Sequence, residues 1–292
     1  MNTIKRLWPV LLLLLSSMAC TITVPLPDVR VPEVPTLEVG TMQEYREEVP
    51  LTDVTEAGVE ISCGAGELTL SAGEPDKLFS GLFRTNVPAW VPEVTWQNGV
   101  LKVKQQDSVG IPGAGAKNEW DFRFAPGVPL DMTIQVGAAK GRLDMSNLAL
   151  TDLTIETGAS DLVVSWDEKN PVPMDRLLLR AGAANLEVRG IGYANPQEVR
   201  VEGGVGNIRL DFGGPWSGSS QVRITAGIGS LTLRFPQDVG VRIVVEGALG
   251  GVKVGPEWRI SNGAYVNSAY GQSGTTIQVT LTTGLGSVTV EG

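Results

Sequence analysis

The chain has 292 residues, 42% of them hydrophobic and 36 of them glycine, enough apolar material for a continuous core and too much for wholesale disorder. Its net charge is −9, or −11 without residues 1–19, which hold Lys5 and Arg6 and no acids; so acidic a chain speaks against nucleic acid and against charge-driven binding to anionic lipid. With no histidine and two cysteines, Ser-His and Cys-His triads and most zinc, copper and haem sites are excluded, and neither metal nor cofactor is expected.

At the N-terminus, Lys5 and Arg6 precede an apolar run from Leu7 to Leu15 and then Ser16-Ser17-Met18-Ala19-Cys20. This is the pattern of a signal peptide, residues 1–19, with an apolar core shorter than the roughly 20 residues of a membrane-spanning helix. Small residues before a cysteine resemble a bacterial lipobox, with Ser17 where leucine is usual, so Cys20 is the expected lipidation site. The alternative is cleavage after Ala19 and secretion with Cys20 free. Residues 20–50 carry Pro25, Pro27, Pro32, Pro35 and Pro50 and suit an extended tether, whose later part, Leu37 to Val49, can join the fold as a first strand.

Residues 51–292 read as a β-solenoid domain. Its N-terminal part, 51–130, holds a first repeat, Val59-x-Ile61, Gly64-Ala65-Gly66, Leu68-x-Leu70, and then an insertion. The insertion carries a hairpin signal, Val94–Trp96, Asn98-Gly99, Val100–Val103, a glycine loop from Gly110 to Gly115, and an alternating strand from Asn118 to Phe124. The regular repeats and C-terminal cap fill 131–292. Four core copies place apolar pairs either side of a glycine corner: Leu153-x-Ile155 and Leu162-x-Val164, Leu177-x-Leu179 and Leu186-x-Val188, Val199-x-Val201 and Ile208-x-Leu210, Val222-x-Ile224 and Leu231-x-Leu233. Their corner glycines, 158, 182, 204 and 227, stand 24, 22 and 23 residues apart. Two flanking copies, Met132-x-Ile134 with Leu143-x-Met145 and Val241-x-Ile243 with Val252-x-Val254, read as having corners two residues longer. After a segment with Trp258, Tyr265 and Tyr270, the chain ends on Val279-x-Leu281, Gly284-Leu285-Gly286, Val288-x-Val290. A short unit that cannot bury its own apolar face predicts an all-β, parallel, right-handed β-helix-like stack in which Leu162, Leu186, Ile208 and Leu231 form one inward column.

Against that frame the chemistry is sparse. Gly64-Ala65-Gly66 and Gly204-Val205-Gly206 lead into strands without a Gly-Lys-Ser/Thr, so they are not phosphate loops. With Cys20 acylated, Cys63 has no partner and serves as a small buried hydrophobe. Asp144 and Glu187 read as equivalent outward positions, with Val163 and Arg209 in the same column and Asp161 one column over, which makes no catalytic ladder. Arg200 and Arg223 stack by register with Arg242 close by, a stripe that could take an anionic polymer unless Glu187, Glu198 and Glu202 neutralise it. Asp161, Asn185 and Asn207 follow the corners as turn residues. Trp90, Trp96, Trp120, Trp166, Trp216 and Trp258 lie in or beside interruptions, as caps or as a platform for sugars.

The run Val59-Glu-Ile-Ser-Cys-Gly-Ala-Gly-Glu-Leu-Thr-Leu70, Asn118-Glu-Trp-Asp121, the Ile155–Val164 copy and Tyr265-x-Asn267-x-x-Tyr270 through Val290 together resemble bacterial toast-rack proteins. These are the LiaF-like group, similar in pattern to candidate cell-surface adhesins. The resemblance runs from about Val59 to the end. It implies an extracytoplasmic, membrane-associated β-domain, tied in some members to envelope stress response, and brings no catalytic residues. The expected protein is a non-enzymatic, lipid-anchored interaction or scaffold module of the cell envelope. Its partners would be the membrane, through the anchor, and a cell-wall polymer or envelope protein. The alternative is a polysaccharide lyase or glycosidase on a β-helix.

Overall fold

Alternating apolar residues and small residues at fixed intervals give long parallel strands that bend sharply at glycine. The computed structural model describes residues 35–106, 108–248 and 251–292; the leader and Cys20 lie outside them. In chain order the strands are β1 (Thr36–Leu37), β2 (Gln43–Pro50), β3 (Ala57–Ala72), β4 (Lys77–Thr85), β5 (Pro92–Gln97), β6 (Val100–Gln105), β7 (Ile111–Pro112), β8 (Asn118–Phe124), β9 (Pro129–Asp144), β10 (Ala149–Ser165), β11 (Met174–Arg189), β12 (Pro196–Asp211) and β13 (Ser220–Arg234). They continue as β14 (Gly240–Ala248), β15 (Val252–Val254), β16 (Arg259–Ser261), β17 (Ala264–Val266), β18 (Thr276–Thr283) and β19 (Gly286–Glu291). A single helical turn, Ile191–Ala194, links β11 to β12.

The expected inward column is present. Leu162 pairs with Leu186, Leu186 with Ile208 and Ile208 with Leu231, and all four are buried. Three further columns run beside it, through Leu153–Leu177–Val199–Val222, Ile155–Leu179–Val201–Ile224 and Val164–Val188–Leu210–Leu233. The first halves of the strands form one face and the second halves another, and the columns of both meet in one core. Fully burying each such side chain stabilises the fold by about 1.5–3 kcal/mol. Hydrogen-bonded neighbours can be traced round a ring, because long strands pair once in each half. The assembly is nonetheless one large, mostly parallel sheet folded along its corner. Among the described residues β2, β5, β15 and β16 each pair on one side only, so no barrel closes.

The corner itself explains the glycines. A Cβ built on Gly158 would stand 2.5 Å from the carbonyl oxygen of Gly137, and one on Gly182 would stand 2.6 Å from that of Gly158. The same carbonyl-to-glycine contact continues through Gly204, Gly227 and Gly284, and Gly137 makes it with Gly64. Close backbone approach is therefore what excludes a side chain here.

Register corrects two expectations. Gly141 pairs with Leu162 and Leu143 with Val164, so β9 has no longer corner; a glycine occupies the inward slot, and the Leu162 side chain reaches into it. Met145 belongs to another buried column, with Trp166, Phe212 and Phe235, each continuing the backbone ladder one residue past its strand. Likewise Val245 pairs with Leu281 and Val252 with Val288. The true inward pair of β14 is Ile243 and Val245; Val241 sits one step earlier, opposite Ile277.

The ends depart from sequence order. The insertion supplies a level of its own: Leu101 and Val103 of β6 pair with Val59 and Ile61, while Trp120 and Phe122 of β8 pair with Leu68 and Leu70. Thus β3 lies between the insertion and β9. At the other end, β18–β19 lies between β13 and β14–β15, so the last strand of the chain is interior to the stack. Asn98-Gly99 turns between β5 and β6 with positive φ at both residues, 53° and 77°, as a tight hairpin requires. Asn262-Gly263 does the same between β16 and β17.

Buried asparagines fasten the loops. The Asn170 side chain accepts from the Leu150 N–H (2.9 Å) and donates to the carbonyls of Leu150 and Val172 (2.8 Å each). Asn267 clamps Val241 N–H and the Val239 carbonyl in the same way. Replacing Asn170 by alanine strands these buried groups, and a loss of about 2–3 kcal/mol is expected, read as a lower urea midpoint at unchanged m.

Candidate functional site

The two outward faces use their charges differently. On the first-half face, Arg180 spans two neighbours, reaching Glu156 at 2.6 Å and Glu202 at 3.0 Å. That guanidinium, with Gln135 second, holds the Glu156 carboxyl below its ordinary range. Arg176 pairs with Asp152 at 3.2 Å and Lys102 with Glu60 at 2.9 Å. Arg200 and Arg223 are direct neighbours by register, and both bind one carboxylate oxygen of Glu198, at 3.1 and 2.7 Å. Arg242 is not next to them. It pairs with Gln278, in the column of Glu198 and Gln221, with β18 between it and Arg223. Glu187 pairs with Arg189 at 2.9 Å, on the opposite face.

Asp144 and Glu187, read from sequence as equivalent outward positions, are not brought into one column. Asp144 pairs with Ser165, whereas Glu187 shares its column with Arg142, Val163 and Arg209, so the two acids are not equivalent after all. Among the described carboxylates Asp152 is raised, by burial first and by Asp131 second, against the pull of Arg176. It lies in the ion-pair ladder of the first-half face. Glu187 is held low, chiefly by Arg189, the wrong direction for a general acid.

On the second-half face a shallow trough runs along the stack beside the glycine corner. Three cavities compose it, of about 530, 280 and 300 Å³. The first and second share Glu67, Lys140 and Asp161, and the second and third share Asp161 and Val163. Small residues make the hollow: Ala138, Ala139 and Ala159 at one end and Gly141 in the middle. Lys117, Lys140, Arg142 and Arg209 line it, and none of them has an ion-pair partner within 4 Å among the described residues. In its third chamber the Asn207 amide donates to the Asn185 side-chain oxygen at 3.0 Å, and the Ser230 hydroxyl donates to Asn207. The residues read from sequence as turn chemistry thus form a polar ladder across levels.

The tryptophans serve packing. Trp120 meets Phe83 edge-on at 5.2 Å, Phe79 meets Phe122 at the same distance, and Trp258 covers Phe235 at 5.8 Å. Trp90, Trp120, Trp166 and Trp258 are buried and Trp96 and Trp216 half-buried, so most of their ring surface goes to packing. Cys63 is buried too, and burial pushes its thiol up to about 12, an inert thiol at neutral pH. Among the described residues no group of three or more Asp, Glu, His or Cys side chains is placed to hold a metal ion. No described helix is long and apolar enough to cross a membrane.

Residues 38–189, just over half of the chain, match the family described as the N-terminal domain of toast_rack, DUF2154. No curated protein matches. Among solved structures, a candidate cell adhesion protein from Clostridium sporogenes is 21% identical, with 86% of this chain and 99% of that one covered and a TM-score of 0.48. A candidate adhesin from Bacteroides fragilis is 12% identical, covering 87% and 99% at a TM-score of 0.39. One from Parabacteroides distasonis is 10% identical, covering 88% and 100% at 0.35.

Proposed function

The chain belongs to the toast-rack family, and from that premise we propose that it is a non-enzymatic interaction module of the bacterial cell envelope, held at the membrane by a lipid on Cys20. The contrast between its faces supports this reading. On the first-half face Arg176, Arg180, Arg200 and Arg223 are each answered by a neighbouring acid, whereas along the trough of the second-half face Lys117, Lys140, Arg142 and Arg209 have no ion-pair partner among the described residues. A surface spread over many levels suits holding an extended partner more than concentrating a reaction at one point. The small residues before Cys20 and the proline-rich 20–50 segment support an anchor and a spacer. Family kinship further suggests a link to envelope stress response, with a membrane protein as its recipient.

The test is retention of the full-length chain on purified cell envelopes in a Cys20→Ser background, so that a lipid anchor does not itself hold the protein there. In that background the otherwise unchanged chain is expected to be retained, and Thr232→Trp, which fills the third chamber, to be retained at least about tenfold less, roughly 1.4 kcal/mol of binding. Equal retention of both would sink the trough as the working surface. For the anchor, palmitate labelling is expected in the wild type and absent in Cys20→Ser; an unlabelled wild type would make the protein a secreted one. Pull-down from membranes, with and without Cys20, would show whether a sensor protein depends on that attachment.

A further inference from the structure

Resting on the reading of the trough as the working surface, we infer that it holds an extended, hydroxyl-rich glycan lying along the stack axis. The shape comes first. Successive chambers share lining residues, so one linear molecule passes through all three, while each chamber alone is too open to enclose a compact ligand. The spacing comes second. Outward positions recur at each level, about 4.8 Å apart, close to the advance of one sugar ring in an extended chain, so each ring meets a similar set of groups.

The chemistry decides between polymers. Lys140 sits by register between Glu67 and Asp161, and Arg209 next to Glu187. A polyanion would meet an acid beside Lys140 and beside Arg209, leaving only Arg142, between Thr69 and Val163, without one in register, and like-charge juxtaposition is penalised. Hydroxyl groups donate and accept at once, so they are suited to a floor where acids, amides and cations alternate. The Asn185 amide N–H groups have no protein acceptor among the described residues, and half-buried Val163 gives an apolar spot between polar rows for the face of a ring. With the tryptophans occupied elsewhere, binding rests on hydrogen bonds that are modest singly and accumulate along the chain.

The experiment presents the full chain with neutral and acidic envelope oligosaccharides of graded length, followed by calorimetric titration. Wild type should bind neutral oligosaccharides, about tenfold more tightly for an octasaccharide than for a disaccharide. Val163→Trp and Thr232→Trp should each weaken that binding at least about tenfold. Thr154→Trp, on the opposite face, should not. All three variants should keep the wild-type unfolding midpoint, because the substituted side chains point outward. Binding of acidic polymers alone, absence of length dependence, or indifference to both trough variants would overturn the inference. Should neither neutral nor acidic glycans bind while Thr232→Trp still abolishes envelope retention, the trough would stand as an interaction surface with a protein ligand, and only the glycan assignment would fall. If the Cys20→Ser chain is not retained on envelopes at all, the underlying reading goes with it.

Discussion

Gly182→Ala is expected to lower the unfolding free energy by roughly 2–4 kcal/mol, although it adds one methyl group at an exposed position on the corner. The added carbon would stand 2.6 Å from the Gly158 carbonyl oxygen, and a strand hydrogen-bonded on both sides has no freedom to retreat. Relief requires the corner to open, which pulls Ala181 and Leu186 out of register with their neighbours above and below. A urea midpoint falling at unchanged m would report it. The control is the adjacent exposed Ala183→Ser, for which a change within about 0.5 kcal/mol is expected. Equal effects of the two substitutions would show that the glycine column is a turn preference rather than a steric necessity.

Deleting residues 276–292 is expected to be more damaging than its position at the chain terminus suggests. Terminal segments usually tolerate change, but here Ile277, Val279, Leu281, Val288 and Val290 are all buried and are paired in parallel on both sides. Their lost burial is of order 10 kcal/mol, the size of a whole domain's stability. The deletion also leaves β13 and β14 with unpaired facing edges. Loss of cooperative unfolding, strong dye binding to exposed apolar surface and insolubility are the expected readouts. A soluble product with a single sharp transition would mean that β14 and β15 close up against β13 in place of the missing level.

Much of this was legible in the residues. Periodic apolar pairs and glycine corners specify the stack, its parallel pairing and its inward columns, because parallel levels put like positions over like. The two misplaced registers share a cause. Both follow from pairing apolar residues by type alone, which puts Met145, a core residue of another column, in the place of Leu143 and passes over Gly141 in an inward slot. A better signal was present: the seven-residue step from Ile155 to Leu162 recurs from Ile61 to Leu68, Leu179 to Leu186 and Leu281 to Val288, and it assigns both flanking copies correctly. The Asn262-Gly263 hairpin was equally readable, by the signal used for Asn98-Gly99.

Other features had no local signal. Any copy with the right columns can pair with any other, so nothing in β18–β19 announces that it lies between β13 and β14–β15. The asparagine clamps are in irregular connections and depend on carbonyls some 20 residues away, such as that of Leu150. The trough was invisible for a different reason. It is a hollow left by small residues, and Lys140 and Arg142 stand out only once the cations of the opposite face are seen to be consumed by Glu156, Glu198 and Glu202. The pairing of Arg200 and Arg223 was readable, but not that a single glutamate would answer both.

The glycine column has a bearing on how such a chain can lengthen. Each unit brings its own corner glycine and meets only the units on either side, so duplicating one internal segment, for instance 149–173, would introduce a complete extra slice without asking any distant residue to change. The surface would grow by one step of about 4.8 Å, and with it the length of partner that could be accommodated. Reach, in this architecture, is set by how many copies the gene carries.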